Sequence, residues 1–355
     1  MTIPLLDLSD RWFAGEGPEA RTVVSSRCRL ARNLAGVPFS RTAQPVQQEA
    51  VARRIADALS VEAGLKGFQR IELSEISTAE RAILREAHLI SPELERHADH
   101  CAVYLADNAR ISIMVNEEDH LRMQAIETGY RVREAHRAID EIDSRLSRHL
   151  TYAFSPQLGH LTACPTNTGT GLRASAMLHL PGLVLAGRID RIVKDIANNG
   201  YAVRGFYGEG THSAGDLYQI SNEVTLGKSE EEIISGLLGV VDQLIEHEHA
   251  SRDELFAKRR PFIEDSIWRS YATLSQARLI NSSEAISLLS RLRLGIDGGH
   301  FNERLTHHDL NRLLIEIQPA HLASRRGLTD ADDESRDAMR AEFLRQRLAD
   351  IVSSN

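Results

Sequence analysis

The run Ala102-Val103-Tyr104-Leu105, Asp107-Asn108, Ile111-Ser112-Ile113-Met114-Val115 and Asn116-Glu117-Glu118-Asp119-His120-Leu121-Arg122 sets the architecture of this chain. Two β-rich segments separated by a polar pair predict a hairpin. The hairpin delivers Glu117 and Glu118 to a strand end. Upstream, Val51, Ile55, Ala58 and Leu59 recur at helical spacing after Pro45, and residues 79–87 read as a second short helix. Downstream, Val132, Ala135, Ile139, Ile142, Leu146 and Leu150 keep a three- to four-residue spacing, as in a long amphipathic helix laid on a sheet face.

Further on, residues 160–164 read as a strand that enters the Pro165-Thr166-Asn167 and Gly169-Thr170-Gly171 turn. Residues 173–180 follow, then a helix near Ile189, Ile192, Val193 and Ile196 that ends at Asn198-Asn199-Gly200. Residues 201–206 and 217–226 read as strands around a glycine-containing loop. After Gly227 the character changes. Ser229-Glu230-Glu231-Glu232 resembles a capping box, and long helical periods follow with few β-rich runs. Pro261 is expected to break the first helix, and Ser282-Ser283-Glu284, Thr306 and Thr329 to cap later ones. The chain therefore reads as α+β, with a mixed domain over 1–227 and a helical domain over 228–355.

With 355 residues, 42% of them hydrophobic, the chain can bury one large core or two medium ones. A formal charge of -8 argues against a nucleic-acid binder working by overall charge. The first residues lack the basic-then-apolar order of a signal peptide, and no stretch approaches a membrane span, so a cytoplasmic protein is expected. Cys28, Cys101 and Cys164 carry no CxxC spacing and fit reduced thiols. Only four of the 42 basic residues are lysine, an excess of arginine that codon bias can explain.

Four segments call for a chemical explanation. Ser25-Ser26-Arg27-Cys28-Arg29, the stretch from Asn116 to Arg122, that from Cys164 to Arg173, and Arg204-Gly205-Phe206-Tyr207-Gly208-Glu209-Gly210-Thr211 each offer arginine, and two of them add an acid. Arginine stays charged and presents a planar fork to phosphate oxygens, so Arg27, Arg29, Arg122, Arg173 and Arg204 could cradle a phosphate donor. Paired carboxylates could clamp a guanidinium acceptor and take its proton as an N–P bond forms. Glu118 and Glu209 are the candidates, Glu117 shares the strand end with Glu118, and Cys164 as thiolate would add a negative partner. Taken singly, each feature has a bland reading as a solvated turn, an exposed loop acid or a small buried side chain. Their joint occurrence favours phosphoryl transfer, which rests mainly on positioning and charge stabilisation.

In order and content these segments resemble the motifs of the phosphagen (ATP:guanido) kinases. Met177-Leu178-His179-Leu180-Pro181, Tyr218-Gln219-Ile220-Ser221-Asn222 and Leu226-Gly227-Lys228-Ser229-Glu230-Glu231 are similar to the bacterial protein-arginine kinase branch. The resemblance implies a glutamine-synthetase-like antiparallel sheet flanked by helices, followed by an all-helical domain for dimerisation and phosphoarginine binding. It implies Glu118, Glu209 and Cys164 as catalytic residues, and Ser25 with the five arginines on ATP, whose magnesium is held mainly by nucleotide phosphates and water. Phosphagen kinases carry a helical domain of roughly a hundred residues before the first arginine motif. Here that motif starts at Ser25, which favours an open acceptor site and an arginine borne by a protein.

Arg336-Asp337-Ala338-Met339-Arg340 resembles the phosphoarginine-binding segment of the same branch, with Arg336 and Arg340 on one helix face. His212 departs from the glutamate usual in relatives. The resemblance further implies a stress-response role, a McsA-type activator, a Clp-type protease and a homodimer or larger homo-oligomer. Two rival readings are a kinase for free arginine or another small guanidino compound, and a phosphoarginine-binding pseudokinase adaptor.

Overall fold

A computed structural model of the protein describes residues 14–106, 109–205, 214–301, 304–328 and 332–353. In chain order the first part contains β1 (Val23–Arg32), α1 (Pro45–Val61), β2 (Gln69–Glu72), α2 (Thr78–Glu86), α3 (Pro92–Arg96), β3 (Ala102–Leu105), β4 (Ile111–Val115), β5 (Leu121–Thr128) and α4 (Val132–Leu146). There follow β6 (Phe154–Ser155), β7 (Gly159–His160), β8 (Leu172–His179), α5 (Pro181–Leu185), α6 (Ile189–Asn198), β9 (Tyr201–Gly205) and β10 (Leu217–Asn222). The rest is helical: α7 (Glu230–Gln276), α8 (Ser282–Asp297), α9 (His307–Glu316), α10 (Pro319–Arg325) and α11 (Asp333–Ser353).

Eight strands form one antiparallel sheet in the order β2-β3-β4-β5-β1-β8-β10-β9. Side chains alternate across a strand, and this sheet uses the alternation to separate duties. Its back face carries Cys28, Leu30, Met123, Ala125, Ala174, Ala176, Leu178 and Ile220. These pack against Val132, Ala135, Ile139, Ile142 and Leu146 of α4 and against Ile233, Leu237 and Val241 of α7. Full burial of one such aliphatic side chain contributes about 1.5–3 kcal/mol, so the back face holds the sheet rigid.

The front face is covered at its two ends. Met114 and Val103 join Leu84, Leu89 and Leu94 of the α2–α3 region in one core, while Val24, Ile126 and Leu217 join the core of the C-terminal helices. A buried carboxylate ties these covers together: Glu86 of α2 accepts hydrogen bonds from the Ala320 and His321 amides of α10, at 2.9 and 3.1 Å. Between the covers the middle of the front face stays open.

The hairpin, the α4 periodicity and the helical character after Gly227 all match the sequence reading, and Ser229 and Glu232 form the expected capping box. Four local differences have physical causes. Residues 161–164 are not a strand, because side chains claim the backbone there: Asp119 accepts from the Ala163 amide at 2.7 Å, and Thr162 donates to the Cys164 carbonyl at 2.7 Å. The strand read as 217–226 stops at Asn222, whose amide side chain accepts from Ala174 N–H and donates to Leu172 O. Pro261 does break α7 as expected, but helical geometry is lost two residues earlier, at Arg259 (φ -135°, ψ 28°), as proline's missing N–H and ring clash demand of the preceding turn. Helix α8 is capped by Asn281, one residue before the expected serine, with Oδ1 accepting from Glu284 N–H at 2.9 Å. Asp107-Asn108 and Thr329 lie outside the described residues.

Candidate active site

Arg27 and Arg29 stand two residues apart on β1 and so share the front face. In register, Arg29 faces Arg173 on β8, Arg122 of β5 lies opposite Ala31, and Arg204 of β9 lies opposite Gln219. Like charges directly opposite one another across a sheet are destabilising. The Nε atoms of Arg27, Arg29 and Arg173 are buried and have no hydrogen-bond partner. Burial, reinforced by the neighbouring arginines, lowers Arg27 to about 10 and pulls Arg29 and Arg173 below the ordinary arginine value. Such cations fit a multiply charged anion placed among them.

The acidic loop divides its two glutamates. Asn116 adopts φ 58°, an αL conformation that asparagine tolerates, and its N–H closes the turn onto His120 O at 3.0 Å. Glu117 turns inward, nearly fully buried, and pairs with Arg122. Burial pushes the Glu117 carboxyl up, but Arg122, a hydrogen bond from Ser91 and the Glu118 N–H together outweigh it and hold the pKa below the usual value. Glu118 stays at the cavity rim, with its side chain 34% exposed and paired to Arg41 at 3.3 Å.

Loop placement follows from a buried polar knot. Asn33, just after β1, donates to Asp119 at 2.6 Å and accepts from His120 N–H at 2.9 Å. His120 Nδ1 accepts from Leu34 N–H at 3.0 Å, so its other nitrogen carries the proton toward Pro38 O at 2.9 Å. Burial lowers the His120 pKa and favours this neutral ring. Asp119 reaches the Ala163 amide as well, fixing the loop that bears Cys164, whose Sγ lies 3.0 Å from Thr166 Oγ1. Gly171, at φ +69°, lets that loop re-enter β8, where a Cβ would stand 2.6 Å from Ala31 O.

Ser25, the five arginines, Glu117, Glu118 and Cys164 line one cavity of about 640 Å³. Glu209 and His212 lie outside the described residues. Arg336, Asp337 and Arg340 sit elsewhere, on α11. There Arg340 is buried and donates to Ile317 O at 3.1 Å, Ile280 O at 2.9 Å and Asp337 at 2.6 Å, while Arg336 pairs with Asp333. The sequence reading missed several cavity residues: Gln124, Ser175 and Gln219 on the sheet, Glu93 on α3, and Leu314, Ile315 and Gln318 from the helical part. Extending the alternation from Arg122 and Arg173 would have found Gln124 and Ser175. The others come from elements far away in sequence.

Arginines for a polyanion and a rim carboxylate for a cation, on one rigid antiparallel sheet, define a phosphotransferase with a cationic acceptor. Residues 50–251 match the family model described as ATP:guanido phosphotransferase, C-terminal catalytic domain, and residues 260–355 that of the protein-arginine kinase McsB C-terminal domain. The chain belongs to the ATP:guanido phosphotransferase family. It is 42% identical over 343 residues to the protein-arginine kinase of Pelotomaculum thermopropionicum, covering 96% of each chain, and 44% identical over 344 residues to that of Brevibacillus brevis, again covering 96% of each. Among solved structures it resembles a lombricine kinase (TM-score 0.57, 28% identity, covering 69% of this chain and 70% of that one). It also resembles the duplicated taurocyamine kinase of Schistosoma mansoni (TM-score 0.59, 26% identity, covering 69% of this chain and 36% of that one). Among the described residues no helix is long and apolar enough to cross a membrane.

Proposed function

We infer that the protein is an ATP-dependent protein-arginine kinase that transfers the γ-phosphoryl group to the guanidinium of arginine side chains. The observation that carries this reading is the set of buried, unpartnered arginine Nε atoms in the same cavity as Glu118 and Cys164. Full-length similarity to proteins named protein-arginine kinase supports the choice of acceptor.

In this reading Arg27, Arg29, Arg122, Arg173 and Arg204, with Ser25 at the head of β1, bind the nucleotide phosphates and stabilise charge on the transferring group. Magnesium, held by the phosphates and water, neutralises part of that charge. Glu118 is the better placed of the two adjacent acids, since Glu117 already serves as counter-ion to Arg122. Glu118 aligns the acceptor guanidinium, and with Glu209 it takes the proton lost as the N–P bond forms. Cys164 lends a polarisable neighbour to the acceptor side. Residues 1–227 form the catalytic part and 228–355 the helical part. The latter would mediate homodimers or larger assemblies and read phosphoarginine through Arg336, Asp337 and Arg340. A cytoplasmic stress-response role, with a McsA-type activator and a Clp-type protease as partners, completes the proposal.

The test is mass spectrometry under non-acidic handling of casein and of the protein itself after incubation with magnesium-ATP, comparing wild type with Glu118→Gln and Glu209→Ala. Loss of a proton-accepting group should lower the rate about 10²–10⁴-fold. Phosphoarginine from wild type alone supports the reading. Phosphorylation of free arginine but of no protein would replace it with a small-molecule kinase, and nucleotide turnover absent throughout with phosphoarginine protein still bound would favour an adaptor.

A further inference from the structure

One arginine outside the cradle already sits where an acceptor is expected. Arg41, in the segment between β1 and α1, places Nη2 3.3 Å from Glu118 Oε1 and 3.3 Å from Glu93 Oε1. Both carboxylates line the catalytic cavity, whereas Arg41 approaches from the rim, with 60% of its side chain exposed. A single guanidinium nitrogen is thus shared by the acid proposed to align the substrate and by a second acid on α3. Cys164 and the cradle arginines, with the buried Nε atoms of Arg27, Arg29 and Arg173 unpartnered, line the same cavity, so the Glu118 carboxylate stands at the cation-binding end of a site whose other end suits an anion.

We propose that Arg41 is a built-in competitor of the substrate arginine: it occupies Glu118 in the free protein, and a protein-borne arginine binds by displacing it onto Glu93. The inference rests on Glu118 being the acceptor acid. It explains how a carboxylate on the cavity rim is kept from capturing stray cations. An exposed cation can leave one carboxylate easily, because surface ion pairs are weak and screened by salt. Retention on Glu93 keeps Arg41 next to the seat it vacates. Glu93 is held ready for this by its place in α3, where Arg96 at 3.9 Å is its other cationic neighbour and the His97 ring lies 3.7 Å away. Competition of this kind raises the substrate concentration needed for half-saturation and leaves the chemical step untouched.

The experiment measures initial rates of phosphoarginine formation on an arginine-containing peptide with the full-length protein. Wild type, Arg41→Gln, Arg41→Lys, Glu118→Gln and Arg53→Gln are compared at low and at high salt. Arg53 is an exposed arginine of α1 without an ion pair among the described residues, so its variant removes the same charge without the contact. Arg41→Gln should lower the peptide KM about two- to fivefold at unchanged kcat, the size expected for one exposed ion pair. The difference from wild type should shrink at high salt, and Arg41→Lys should stay near wild type. An equal fall in KM for Arg53→Gln would assign the effect to overall charge and overturn the proposal. So would an unchanged KM in Arg41→Gln while Glu118→Gln is inactive. Full activity of Glu118→Gln would instead overturn the assignment of the acid itself, and the competition with it.

Discussion

Replacing Arg27 by methionine should stabilise the nucleotide-free protein and at the same time remove most of its response to nucleotide. Arg27 holds its proton only to about 10, because it is buried and faces Arg122, Arg173 and Arg204. The unfolded chain holds that proton to the higher, ordinary arginine value. Folding is therefore penalised at every pH below about 10, where the group is charged in both states, and the penalty fades only as pH climbs from there toward the unfolded value. At about 1.4 kcal/mol per pH unit the gap corresponds to roughly 3 kcal/mol. The side chain keeps a partly exposed end toward the cavity, whose water offsets some of this, so about 1–2 kcal/mol is the working figure. Methionine keeps an unbranched stem of similar reach without the charge. In thermal unfolding at neutral pH and low salt, the variant should melt about 1–3 °C above wild type without nucleotide. Saturating magnesium-ATP, at about a hundred times Kd, should stabilise wild type by about 2.7 kcal/mol and the variant by much less. A variant that melts below wild type without ATP, or that gains as much from ATP, would show that the cradle is not held under electrostatic strain for an anion.

Other consequences can be checked on the same material. Glu117→Gln should cost about 3 kcal/mol at neutral pH by leaving Arg122 without its buried partner. Glu117 has a lowered carboxyl pKa, so its contribution is complete above about 4.5 and disappears as pH falls through the lower folded value. The stability gap between wild type and variant, followed by urea unfolding, should therefore close in acid; a gap constant down to pH 2 would refute the pairing. Asp119→Ala frees the Asn33 amide and the Ala163 N–H, loosening the Cys164 loop, and should lower kcat about 10–100-fold with a smaller change in the KM for ATP. Equal kcat would mean that the knot does not position the site. Arg340→Ala should destabilise the helical part by about 2–4 kcal/mol, since it strips Ile280 O, Ile317 O and Asp337 of their donor. Arg336→Ala, in an exposed pair, should change stability by less than about 1 kcal/mol, which makes it the cleaner probe of the proposed phosphoarginine binding.

What the sequence revealed and what it hid have physical reasons. The periodicities of α1 and α4 were plain because those helices bury one stripe against the sheet and leave the other in water. The arginine motifs of β1, β8 and β9 could be read because a cation in a strand has few structural excuses. Strand β5 was less visible: it follows Arg122 with Met123-Gln124-Ala125-Ile126, whose two faces are both buried, one in the core and one under the cavity wall. The contribution of α9 was invisible. Leu314 and Ile315 look like ordinary helix-core residues, and only the docking of the helical part onto the front face brings them to the cavity. Residues 161–164 misled for the opposite reason, since their β-like composition meets side-chain hydrogen bonds that no local pattern announces.

The division between Glu117 and Glu118 shows why adjacent identical residues need not share a duty. The αL turn at Asn116 and the closure onto His120 send one carboxylate beneath the loop and the other to its edge. The inner one meets a fixed cation, and its burial makes that pairing strong but immobile. An acid so engaged is poorly suited to receiving a mobile guanidinium, because it would have to abandon Arg122 in a place where water cannot replace it. Among the described residues the outer one pairs with an exposed partner, Arg41, at 3.3 Å, and can exchange it at small cost. On the proposed reading, one glutamate therefore sets the charge of the phosphate cradle and the other remains available to the acceptor. Substituting both for glutamine should separate along that line, with Glu117→Gln felt in folding and nucleotide binding and Glu118→Gln felt in turnover.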